Sequence, residues 1–152
     1  MAASERFPLL VLKLRRMLRD RPEVNTLQES GEELETEDLK LALVLALDDF
    51  NNTPFITRFT FASFPYVGLL LDGAFLQALK MAAVGQARNE LNYSAGGVQV
   101  RTSDKAPMYM QIFQTLLPLY EQRKRDFKRQ LNLQGGYASL PSEYFFLAFG
   151  RT

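Results

Sequence analysis

From Leu69 to Leu91 the chain reads LLLDGAFLQALKMAAVGQARNEL, with apolar positions at Leu71, Ala74, Phe75, Ala78, Leu79 and Ala82. Intervals of three and four place one stripe of a helix against a core. The pattern predicts a helix over 67–92 around which the rest of the chain packs. Small residues along it, Gly73, Ala78, Ala83 and Gly85 among them, let neighbouring helices approach closely on more than one side. The run is apolar enough to suggest a membrane span. Asp72, Gln77, Lys80, Gln86 and Arg88 interrupt it, however, whereas a span needs about 20 predominantly apolar residues in a row, so it reads as the core of a soluble domain.

The same period recurs on both sides. Phe7, Leu10, Val11, Leu14, Met17 and Leu18 predict an amphipathic helix over 6–19, its arginines mostly on the opposite face. Asp20 to Pro22 should end it, because a residue before proline disfavours helical geometry. Thr36 as cap, with Glu37 and Asp38 where the first-turn amides favour negative charge, predicts a helix over 37–50. Between Leu41 and Leu47 that helix has almost no polar face. Such a helix must be covered all round, by the chain's own core or by another subunit, and the sequence leaves both open. Turn-favouring Asn51, Asn52, Thr53 and Pro54 follow.

In Phe55 to Phe64 the period changes to two: Phe55, Thr57, Phe59 and Phe61 share one parity, Arg58 and Thr60 the other. This predicts an extended segment. Its backbone needs a partner strand, either Val98 to Arg101 or a segment of a neighbour. Asn92 to Gly97 forms a turn before the short strand Val98 to Val100. Thr102 to Asp104 then cap a helix over 105–131, whose stripe is Tyr109, Ile112, Phe113, Leu116, Tyr120, Phe127 and Leu131. Pro118 in its middle should kink it, since the ring clashes with the carbonyl four residues back. The expected fold is mainly α: a helical bundle around a long central helix, with a short β-hairpin or extended arm. Residues 1–132 form one helical domain and 133–152 an extended C-terminal arm.

That arm carries Tyr144, Phe145, Phe146, Leu147 and Phe149, an apolar run that needs burial on this chain's core or in a partner. Charge changes the picture locally rather than globally. Eighteen basic and 17 acidic residues leave a formal charge of +1, no general argument for a nucleic-acid or membrane partner. Yet Lys13, Arg15, Arg16, Arg19 and Arg21 precede the acidic Glu29, Glu32, Glu33, Glu35, Glu37 and Asp38. The basic block is either a solvated face or a contact for the acidic segment of a neighbour. Lys124, Arg125, Lys128 and Arg129 likewise form either a solvated helix end, favoured by the dipole, or a surface for DNA phosphates.

Candidate chemistry is sparse. Cysteine and histidine are both absent, which removes thiolate metal sites and the commonest general base and metal ligand. Asp48 and Asp49 are the only adjacent acidic pair in an apolar element, but neighbours on a helix point about 100° apart and cannot face one substrate together. Gly96-Gly97 lacks the lysine and the strand-to-helix order of a phosphate loop. No catalytic, cofactor or metal residue is expected. MAASERFPLL has no basic segment leading into an apolar run, so no secretion signal is expected either.

Three segments together resemble the head-to-tail connector (adaptor or neck) proteins of tailed bacteriophages. They are LKLALVLALDDFNNTPFITRFTF at Leu39 to Phe61, LLLDGAFLQALKMAAVGQARNELNYSAGGVQV at Leu69 to Val100, and the Tyr109 to Asn132 helix ending KRDFKRQLN. The resemblance implies a non-catalytic virion protein assembled in the host cytoplasm. It would form a homo-oligomeric ring, commonly twelvefold, that binds the portal and passes the DNA channel to a tail or neck protein, with no membrane and no cofactor. Phe55, Phe59 and Phe61 would then belong to a subunit-contact arm, and the Tyr144 to Phe149 run would dock on the portal or a neighbour. Lys124, Arg125, Lys128 and Arg129 would be candidates for contact with DNA. The competing class is a nucleic-acid-binding helical module using that same basic helix end.

Overall fold

The computed structural model describes residues 3–20, 33–88, 93–95, 98–100 and 105–138. Within them the protein is mainly helical: α1 (Ala3–Leu18), α2 (Thr36–Asn52), α3 (Val67–Arg88) and α4 (Lys105–Ala138). Helix α3 packs on each of the other three. It is also, among the described residues, the one helix long and apolar enough to cross a bilayer by length and composition. Here its apolar residues supply the core, with Leu69, Leu70, Ala74, Leu76, Ala78 and Ala82 all buried. Two short strands, β1 (Tyr93–Ala95) and β2 (Val98–Val100), pair antiparallel with Tyr93 opposite Val100.

Helix ends follow different physics from that expected. Arg19 adopts a left-handed φ of 55°, and the amides of Arg19 and Asp20 turn back to the carbonyls of Arg16 and Arg15, both at 3.3 Å. This closes α1 as a C-terminal glycine usually does. It also aims the buried Asp20 carboxylate at the amides of Glu33 (2.6 Å) and Leu34 (2.9 Å). At the start of α2 the cap is Glu35, not Thr36: the Asp38 carboxylate accepts the Glu35 amide at 3.2 Å. The Thr36 hydroxyl instead accepts from Arg15, whose other guanidinium nitrogen reaches the Leu34 carbonyl. Arg15 of the basic block therefore serves its own chain.

The alternation over 55–61 does not make a strand. Residues 56–60 are irregular and 61–63 turn. The backbone partner that a strand would need is supplied by one side chain: Asn51 donates to the Phe59 carbonyl (2.9 Å) and accepts the Phe59 amide (3.0 Å). The Thr57 amide bonds to the Asn51 carbonyl, and its hydroxyl to the Asn51 side chain. With the segment bent back, Phe59 and Phe64 stack around Phe50, and Phe61 meets Phe7 edge-on at 4.8 Å. Arg6 ties α1 to the same turn through the Ala62 and Phe64 carbonyls. Phe59 and Phe61 are thus folded onto their own chain rather than extended as an arm, and of the three aromatics assigned to it only Phe55 is exposed, at 55%.

Helix α4 passes through Pro118 and runs on through Gly135 and Gly136 to Ala138, beyond the expected boundary at residue 132. Glycine in a helix costs only about 1 kcal/mol relative to alanine, and elongating an established helix is cheap. The expected 89–92 extension of α3, the turn at Gly96-Gly97, the cap at 102–104 and the aromatic run Tyr144 to Phe149 lie outside the described residues.

Candidate functional site

Helix α4 runs alongside α2 in the same direction. Tyr109, near its start, donates to Glu33 just before α2, Tyr120 reaches Asp49, and Lys128 reaches Thr53 at the end of α2. Three braces result. The Glu33 carboxylate accepts the Tyr109 hydroxyl (2.6 Å) and the Gln86 amide (2.7 Å), joining α3 and α4 to the segment that enters α2. Burial and that hydrogen bond push the Tyr109 hydroxyl above the ordinary tyrosine range.

The second brace centres on Asp49, which accepts the Tyr120 hydroxyl (3.1 Å) and the Lys124 ammonium (2.7 Å). Lys124 also holds Glu121 at 2.8 Å. Burial, and then the charge of Asp49, push the Tyr120 hydroxyl well up, so it stays protonated at neutral pH. Tyr120 also rests directly on α3: a Cβ added at Gly73 would lie 2.6 Å from its hydroxyl and 2.9 Å from Cζ. Glycine is needed there for close approach.

In the third brace the Lys128 ammonium donates to the carbonyls of Thr53 (3.2 Å) and Phe55 (2.7 Å) and to the Thr57 hydroxyl (2.9 Å), 4.4 Å from the centre of the Phe50 ring. A cation at the C-cap Thr53, just past the last turn of α2, meets the negative end of the helix dipole. Burial lowers the Lys128 pKa, as does the charge of Lys124, against a smaller opposing effect of Asp49.

Lys124 and Lys128 are each only 2% exposed. They are therefore not members of a basic surface, and that assignment is corrected: with Leu116 and Tyr120 they fall every four residues on the inward stripe of α4. Arg125 and Arg129, one position on, are exposed. Arg125 bonds the Glu121 carbonyl, and Arg129 lies 3.9 Å from Asp126. The four-residue spacing could have revealed the split; the partners Asp49, Thr53 and Phe55, distant in sequence, could not have been named from it.

Two further apolar surfaces lie outside the braces. A cavity of about 140 Å³ between α3 and α4 has apolar walls of Phe75, Leu76, Leu116 and Leu119. The Asp72 to Arg123 ion pair, at 3.1 Å, stands at its edge. On α2, Leu41, Val44 and Leu45 form an outward stripe with exposures of 49, 40 and 39%. Asp48 is exposed beside it, while Asp49 faces α4. No group of three or more acidic residues among the described residues is arranged to hold a metal ion. No family model, curated protein or solved structure matches the chain.

Proposed function

We propose that the chain is a non-catalytic virion structural protein. Its copies form a ring, commonly twelvefold, that joins the phage portal to a tail or neck protein at the head-tail junction, as the resemblance of its helical segments to head-to-tail connectors implies. One observation supports the assembly part of this reading more than any other: the Leu41, Val44 and Leu45 stripe of α2 stays open to solvent in the single chain. Of the two fates left open for that all-apolar helix, its own core covers only the other side. A contiguous apolar stripe rimmed by charge is characteristic of an interface, and a closed ring needs two complementary surfaces on each subunit. The β-hairpin and the extended C-terminal arm belong to this proposal as devices for reaching partners.

The nucleic-acid alternative loses two of its four cations to internal bonds. The deciding measurement is the mass of the purified chain, alone and mixed with the portal of its phage, by light scattering or native mass spectrometry. A ring, or a stoichiometric complex with the portal, is expected. A stable monomer indifferent to the portal, yet binding DNA with a steep salt dependence, overturns the proposal.

A further inference from the structure

We draw no further inference here: the strongest candidate, the apolar cavity between α3 and α4, carries nothing, because the Asp72 to Arg123 ion pair at its edge is already satisfied and nothing in the structure shows what fills it.

Discussion

Leu43 and Leu45 stand two positions apart on the same helix and are the same residue, yet Leu43 is fully buried and Leu45 is 39% exposed. The inner face of α2, with Leu39, Ala42, Leu43, Ala46 and Phe50, packs on α3 and on the folded-back aromatic segment. Its outer face, Leu41, Val44 and Leu45, stays 39–49% exposed. Hydrophobicity alone does not distinguish them. What distinguishes them is that α3 packs against the inner face, while α4 is tied to the end of α2 and the turn after it by polar side chains: Asp49, Tyr120 and Lys124 in one brace, Lys128 in another. The inner face is thus a matter of folding stability, and the outer one is where the proposed ring would find its contact.

Substitutions on the two faces should separate these roles. The largest effect is expected from Leu43→Ala, which leaves a cavity in the core and should cost about 2–5 kcal/mol in urea unfolding. Next comes Lys128→Met. It strands the Thr53 and Phe55 carbonyls at the end of α2 and should cost about 1–3 kcal/mol, the range for buried polar groups left without partners. A loss below the error of the measurement would mean that the buried ammonium does not hold the turn.

Gly73→Ala and Gly85→Ala form a matched pair on α3. At Gly73 the new methyl meets the Tyr120 ring and disturbs its bond to Asp49, so overpacking of about 1–3 kcal/mol should outweigh the gain in helix propensity. At Gly85 a Cβ meets nothing within 4 Å, and alanine should stabilise by about 0.5–1 kcal/mol. Equal effects at the two sites would deny the close approach of α3 and α4.

The pH dependence has a definite sign for each buried group. The Tyr120 pKa is raised in the fold, so its contribution is fully present below its ordinary value of 10 and is lost as pH rises above it. The Lys128 pKa is lowered, so between the lowered value and 10.5 the unfolded chain holds more protons and stability rises with pH. Tyr120→Phe should therefore weaken the fold at neutral pH and reduce its further loss above pH 10, seen as a flatter curve of urea midpoint against pH. The smallest change in monomer stability is expected from Leu45→Ser, within about 0.5 kcal/mol as for ordinary surface positions, together with a marked loss of self-association. If Leu45→Ser destabilised the chain as much as Leu43→Ala, the two faces would not differ in role.

The helical periods of α1 and α3 were legible because each carries its own three-and-four stripe, α2 was legible from the start signal ahead of its apolar run, and the centrality of α3 followed from its apolar stripe and small residues. The segment after α2 was legible only in part. Its period of two signals extended backbone, but whether a strand forms depends on what bonds the amides, and here a single asparagine eight residues back does so. The basic run in α4 misleads for a related reason. Charge predicts exposure on average, yet the four-residue spacing from Leu116 through Tyr120 to Lys128 sets two lysines on the inward stripe, where carboxylate and carbonyl oxygens satisfy them.

By itself, then, the sequence determined which segments are helical and which helix the others surround, since periodicity is a local property that each stretch carries alone. Tertiary structure decided which side of the all-apolar α2 is buried, which cations are internal and which aromatics fold back. Each of those outcomes depends on groups far apart in the chain meeting at hydrogen-bond or packing distance, and no local pattern encodes such a meeting.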